Sequence, residues 1–287
     1  MTIYLVKPMN KYSIVAVLSA LSMFSLSTYA VTNAVPSCYE GKLIAPALPL
    51  TKEVFVLIDQ TTLLDDRLKQ SVAEQVRPFL SKGNGFSVLA FSAFTQGKYT
   101  QLLTSGQLDH AMPIALRGDV GKPALSKFDQ CITRQADLAG QTVGSALRGA
   151  FEGSSGEIAK SDVLASLKDI SGKVRQSKAT QKVVLLVSDM LENSSVSSFY
   201  ANQSVRKIDP FKELKRTTEH NLIADFDGAR IYVLGAGLLS DSAKGKKNTY
   251  RDLKTMQPLE EFWRRYFEKS NAQLVAFGKP ELLKQAE

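Results

Sequence analysis

Two apolar runs in this chain stop at an aspartate. "VFVLID" ends at Asp59 and is followed by Gln60, Thr61 and Thr62; "VVLLVSD" ends at Ser188-Asp189. Between them, "GQTVGSAL" (Gly140–Leu147) is a stretch of small and hydroxyl residues that reads as a loop opening a helix. Carboxylates and hydroxyls that converge from separate strand ends make an all-oxygen site. Such a site suits Mg²⁺, or less selectively Ca²⁺ or Mn²⁺, and does not suit a soft metal. The same residue types also have a plain structural use, because Asp and Thr side chains satisfy backbone N–H groups where a strand turns into a helix. The sequence leaves both readings open.

Other chemistry is thinly represented. Only His110 and His220 are available as imidazole bases, and no Gly-x-Ser-x-Gly elbow accompanies them, so a Ser-His-Asp hydrolase is not indicated. Two cysteines and two histidines do not make a zinc site. The run from Gly235 to Ser240 approaches a dinucleotide fingerprint, but serine replaces its last glycine and it follows a late strand, so it reads as a tight turn. Asn193-Ser-Ser195 and Asn202-Gln-Ser204 fit the glycosylation pattern, which matters only in a host that uses it.

The elements that must position Asp59 and Asp189 follow from periodicity. Val54–Ile58 is a continuous apolar run, as expected of a strand buried on both faces. Leu64, Leu68, Val72, Val76 and Phe79/Leu80 then recur at helical spacing, with Asp65 and Asp66 in the first turn and Gly83-Asn84-Gly85 closing the segment. Strands are predicted at Phe86–Phe91, around Tyr99–Leu103, at Val183–Val187, at Ile231–Leu234 and at Leu274–Phe277. Helices are predicted from Val143–Phe151, over Asp162–Ser177, over Phe211–Phe226 and over Leu259–Ser270, the last with Trp263 and Tyr266 inward and Arg264 and Arg265 outward. Asp109–Gln135 reads as irregular, with Cys131 in a loop. This alternation predicts an α/β fold: a doubly wound, mostly parallel central sheet with helices on both faces. In such sheets functional residues lie at the carboxyl ends of the strands.

Composition sets the setting. Of 287 residues, 44% are apolar and 22% charged, which is globular. Residues 1–30 read as a signal peptide: Lys7 and Lys11, an apolar core from Ser13 to Tyr29, and small residues up to Ala30. The alternative is an uncleaved membrane anchor. Residues 31–52 form a Pro- and Ala-rich arm, 53–280 the α/β domain and 281–287 a tail. Cys38 and Cys131 are a lone pair in an exported chain, which is most simply a disulfide, with two free thiols as the alternative. Closing that long loop is worth about 4–5 kcal/mol in the chain-entropy model. The formal charge of +8 falls to +6 without Lys7 and Lys11. Basic residues are dispersed apart from Lys244, Lys246 and Lys247, so no specific nucleic acid is predicted as a partner.

From about Glu53 to Pro280 the chain resembles the von Willebrand factor A-type domain. The likeness is carried by "VFVLID", "FSVLAFS", "GQTVGSAL" and "VVLLVSD". That family holds a metal ion with an Asp-x-Ser-x-Ser loop after its first strand, a Thr in a later loop and an Asp after its fourth strand. By position the resemblance implies Asp59 for the first aspartate, Thr61 for the first serine and Asp189 for the later aspartate. Leu63 stands at the second serine and cannot ligate. Gapless alignment puts Gln141 at the threonine, and a one-residue shift supplies Thr142. Met190 follows Asp189 where the family usually has glycine. The implied function is an exported protein-binding domain for adhesion or assembly, in which an acidic side chain of the partner completes the coordination of Mg²⁺. The alternatives are a metal-dependent phosphoester hydrolase using the same oxygens, and a metal-free structural component of an envelope secretion or conjugation assembly.

Overall fold

The computed structural model describes residues 33–39, 41, 43–95, 98–155, 161–201, 204–238 and 253–287. The signal segment, Asn202, Ser240, Lys244, Lys246 and Lys247 lie outside them. Six strands, β1 (Lys52–Asp59), β2 (Gly85–Thr95), β3 (Lys98–Gln107), β4 (Gln181–Val187), β7 (Ala229–Leu234) and β8 (Ala272–Phe277), form one sheet in the order β3-β2-β1-β4-β7-β8. Only β3 runs antiparallel to its neighbour. β5 (Tyr200–Ala201) and β6 (Ser204–Val205) make a separate small ribbon. The helices are α1 (Asp66–Val76), α2 (Ile114–Arg117), α3 (Lys122–Glu152), α4 (Val163–Gln176), α5 (Pro210–Glu219) and α6 (Leu253–Lys269).

The period-two geometry of strands sends successive side chains to opposite faces, and the two cores divide accordingly. Phe55 and Leu57 of β1, Val184 and Leu186 of β4, and Ile231 and Val233 of β7 pack with α4 and α6. The alternate residues Val54, Val56, Ile58, Val183, Leu185 and Leu234 pack with α1 and the C-terminal half of α3. Each central strand is therefore apolar on both faces, and truncation of a residue such as Leu57 to alanine costs about 2–5 kcal/mol. The doubly wound class read from the sequence is the class observed.

Trp263 and Tyr266 are fully buried, while Arg264 and Arg265 pair with Glu260 and Glu261 one turn earlier on α6. Asp65 caps α1 by accepting from the Leu68 N–H at 2.8 Å. Three expectations fail. Asp109–Gln135 is not irregular: it holds α2 and the first half of α3, so Cys131 sits on a helix and not in a loop. Pro123 occupies the first turn of α3, where a missing N–H costs nothing, so it marks a start and not a break. Gly140–Leu147 is likewise no loop. It runs through the middle of α3, where the small residues are tolerated because the helix is already pinned by Phe128, Ile132, Ala139, Val143 and Leu147. The helix expected from Phe211 to Phe226 stops at Glu219, after which Asn221 and Asp227 adopt positive φ.

The arm and tail are built into the body. Val35 is fully buried, and the Ala34 N–H donates to the Ser105 carbonyl at the end of β3. Cys38 and Cys131 are bonded, as the sequence suggested. They sit in a small core of their own with Met112, Phe128 and Ile132. In the tail, Leu282 and Ala286 are buried against the α1 side of the sheet, and Gln75 accepts from the Ala286 N–H at 2.7 Å. No helix among the described residues is long and apolar enough to cross a membrane.

Candidate functional site

β1 and β4 lie side by side at the centre of the sheet, so Asp59 and Ser188 leave it together at the carboxyl end. Asp59 is 1% exposed. Its Oδ1 accepts from the Thr61 N–H at 2.9 Å and from the Thr61 hydroxyl at 2.6 Å. Its Oδ2 accepts from the Ser188 hydroxyl at 2.7 Å and, at 3.5 Å, from Ser161. The Thr61 hydroxyl also lies 3.1 Å from that of Ser161. One buried carboxylate thus gathers hydroxyls from three segments. Among the described residues no lysine or arginine contacts it. Burial pushes its carboxyl above the usual range, against the opposing pull of the Thr61 and Ser188 hydrogen bonds.

Ser161 was missed in the sequence, and topology explains its place. α4 leads directly into β4 and packs on the sheet with the opposite sense, so the start of α4 lies at the carboxyl end of the strands. A two-way backbone bridge with Asn193 then fixes Ser161, at 3.2 and 2.9 Å. The usable signal was a serine just ahead of the helix that precedes "VVLLV". Thr142 is placed differently. It sits within α3, and its hydroxyl donates to the Leu138 carbonyl one turn earlier at 2.9 Å. None of the Asp59 contacts just given involves it.

Asp189 is 5% exposed and makes a turn of its own. Its Oδ1 accepts from the Leu191 N–H and its Oδ2 from the Tyr200 hydroxyl, both at 2.8 Å. Its backbone N–H donates to the Thr62 hydroxyl at 3.0 Å, which ties the β4 end to the β1 end. Met190 adopts φ of 61°, a conformation that favours glycine and costs a side-chain-bearing residue about 1–2 kcal/mol. Its surroundings hold it there: its N–H donates to the Ser188 hydroxyl at 2.9 Å, and its carbonyl accepts from the Trp263 indole at 2.9 Å. These two bonds hold the left-handed backbone at Met190 in place. Gly235, at φ of 101°, lets β7 end against Ser188, since a Cβ there would meet the Ser188 carbonyl at 3.1 Å.

Nearby, Glu192 is 1% exposed and accepts from the Leu164 N–H at 2.9 Å at the start of α4. Burial pushes its carboxyl up to about 8. Leu63, four residues past Asp59, is 46% exposed. His110 lies at the other end of the sheet with Nε2 3.0 Å from the Pro49 carbonyl, and His220 follows α5 with Nδ1 2.9 Å from the Arg216 carbonyl.

No family model matches the chain, and no curated protein matches it. Among solved structures it is similar to an aerotolerance-related membrane protein from Bacteroides fragilis, at 12% identity and a TM-score of 0.36, over 79% of this chain and 92% of that one. It is similar to the conserved hypothetical protein BatB from Bacteroides thetaiotaomicron, at 11% identity and a TM-score of 0.37, over 81% and 91%. The human COPII-coat protein Sec24c follows at 9% identity and a TM-score of 0.34, over 71% and 29%. With scores this low, the fold rests on the strand order and the two-sided core, and the site on its own geometry.

Proposed function

We propose that this chain is an exported, von Willebrand A-like, non-catalytic protein-binding domain of a cell-envelope adhesion or assembly system. In this reading it holds a divalent cation, Mg²⁺ first, at Asp59, Thr61 and Ser161. The observation that carries the reading is the spacing of the oxygens. Mg²⁺ takes ligands in an octahedron at 2.0–2.1 Å, which sets neighbouring ligand oxygens about 3 Å apart. The Thr61 hydroxyl lies 2.6 Å from Asp59 Oδ1 and 3.1 Å from the Ser161 hydroxyl, which lies 3.5 Å from the other carboxylate oxygen, Oδ2. The donor set is hard and all-oxygen, and the carboxylate lacks a cationic partner among the described residues. Ser161 takes the part that the sequence offered to Thr142, Leu63 supplies nothing, and water fills the remaining positions. Ca²⁺ and Mn²⁺ are the alternatives. The cation would neutralise Asp59 and brace the β1 and α4 entries.

The disulfide agrees with export, since such bonds persist in oxidising compartments. With Asp59 1% and Thr61 8% exposed, an acidic side chain of the partner reaches the cation only if the loops part. In the closed form partner contact falls to the exposed lip at Leu63. A metal-free structural component is the second reading. It is favoured by the Asp59 carboxylate being satisfied by hydroxyl and amide donors alone. Titration of the purified chain with Mg²⁺ and Mn²⁺, followed by calorimetry and melting temperature, separates the two. Binding that Asp59→Ala and Ser161→Ala abolish supports the first. Absence of binding in the wild type leaves the second.

A further inference from the structure

We propose that the cleft between α1 and β7 is a peptide-binding site whose partner is a second copy of this chain, docked by lending its own residues 281–287. The inference rests on the protein-binding half of the reading above and not on the cation. In this structure the cleft holds the chain's own tail. α1 turns Leu68, Val72, Gln75 and Val76 inward. Three of these are apolar, and Gln75, 7% exposed, is a buried amide on an apolar stripe. Such a group is costly unless its hydrogen bonds are met. The tail meets them. Gln75 Oε1 accepts from the Ala286 N–H at 2.7 Å and from the Gln285 amide at 3.1 Å, and Gln75 Nε2 donates to the Lys284 carbonyl at 3.4 Å. On the sheet side β7 supplies a second buried polar group. The Tyr232 hydroxyl donates to the Glu287 carbonyl at 3.1 Å, and the Arg230 guanidinium donates to the same carbonyl at 2.7 Å.

Most of these bonds reach main-chain atoms of the tail. Its side chains add two buried apolar anchors four residues apart, Leu282 and Ala286. Main-chain bonds for affinity and side-chain pockets for specificity are the means by which grooves bind extended segments. Little else holds the tail. No helix or strand follows β8, and Leu283 is 98% exposed. α6, by contrast, buries Phe262, Trp263, Tyr266 and Phe267 completely. Segments with few buried apolar contacts open first. A tail from a second copy would make the same bonds to the same groups, so exchange sacrifices no contact and is a low-cost route to a dimer. Seven extended residues span about 24 Å, enough to pass between two bodies in contact. The tail's own chain holds it in dilute solution through effective concentration, and exchange gains where copies are crowded, as in an assembly.

The test uses two variants of the mature chain. The recipient carries Leu282→Asp and Ala286→Asp, which remove the anchors of its tail and leave its cleft intact. The donor carries Gln75→Lys, which removes the acceptor in its cleft and leaves its tail intact. Mass by light scattering and melting temperature are measured for each alone and for the two mixed. The expected result is monomers alone, a one-to-one dimer in the mixture, and a higher melting temperature for the recipient when the donor is added. Giving the donor Ala286→Asp as well should abolish the dimer. Hydrogen exchange on the wild type supplies a check that needs no variant, and the Ala286 amide should exchange at least a hundredfold faster than that of Val233 at the core of β7, on the order of the spread between local and global opening. A mixture that stays monomeric while both variants melt cooperatively overturns the proposal. A recipient that does not fold, or Ala286 exchange as slow as that of Val233, makes the tail a fixed part of the core and overturns it too. Either failure leaves the Mg²⁺ titration to decide the cation reading.

Discussion

At the amino end of the sheet the chain is tied to itself. Cys38 is bonded to Cys131, Asp109 accepts from the Cys38 N–H at 2.6 Å and from Gln135 at 2.9 Å, and Gln135 donates onward to the Pro36 carbonyl at 2.7 Å. Asn33 and Gln107 exchange hydrogen bonds across the edge of β3. At the carboxyl end, roughly 20 Å away at 3.3 Å per strand residue, the loops entering α1 and α4 and the turn after β4 meet without a covalent tie, through hydrogen bonds above the apolar packing of Met190 and Leu191 on the start of α4. A carboxylate sits at their centre. The first end spends its polar groups on fixing an arm. The second concentrates oxygens of one chemical kind around a single acid and leaves an exposed leucine at the lip. If the carboxyl end binds a cation as proposed, the amino-end tie should affect stability without affecting that binding.

The largest effect is expected at the amino end. Cys38→Ser combined with Cys131→Ser opens a loop spanning 93 residues. The chain-entropy model gives about 4–5 kcal/mol, or a fall in melting temperature on the order of 10 °C for a domain of this size. Calorimetric melting checks this, and any Mg²⁺ response at the carboxyl end should survive it. Loss of that response together with the disulfide would break the division.

Next comes Asp59→Ala. It leaves the Ser188, Thr61 and Ser161 hydroxyls without their shared acceptor, at about 1–3 kcal/mol for each buried group left unsatisfied. Denaturant unfolding should show a loss of roughly 2–4 kcal/mol, together with abolition of Mg²⁺ binding.

Glu192 gives a pH signature. Its folded carboxyl titrates near 8 against a reference of 4.5, so the folded state keeps a proton that the unfolded chain has released. Stability from this group is fully present below about pH 4.5 and is lost as pH rises through 8. Melting temperature without divalent ions should therefore fall between pH 5 and 8.5, and Glu192→Gln should flatten the slope. An unchanged slope in that variant would remove Glu192 from the account.

The smallest stability effect belongs to Leu63→Ser, within about 0.5 kcal/mol because the side chain is half in water. It adds a hydroxyl to the loop after β1, so Mg²⁺ affinity at the proposed site should rise severalfold in calorimetry while melting without the ion stays put.

Much of the fold was legible because the central strands are apolar on both faces. "VFVLI" and "VVLLV" admit little else in an alternating chain, and the carboxyl ends of those strands located Asp59, Thr61 and Asp189. The helical stretch from Lys122 was hidden. Its glycines and Pro123 mimic loop punctuation, and its apolar positions become regular only once Phe128 and Ile132 are seen to pack on the arm. That misreading set Thr142 beside Asp59, where the structure brings Ser161 instead. The contact of Ser161 with Asp59 spans 102 residues, and only the direction of α4 relative to β4 brings the two together.

The central claim is that the oxygens at Asp59, Thr61 and Ser161 seat a divalent cation. A crystal of the mature chain grown with Mn²⁺ and measured at the manganese absorption edge tests it most directly. A single anomalous peak within bonding distance of those three side chains, about 2.0–2.3 Å for such a hard ion, is expected. Density without such a peak, with the Thr61, Ser161 and Ser188 hydroxyls still closed on the Asp59 carboxylate, would contradict it and make the cluster a structural clasp.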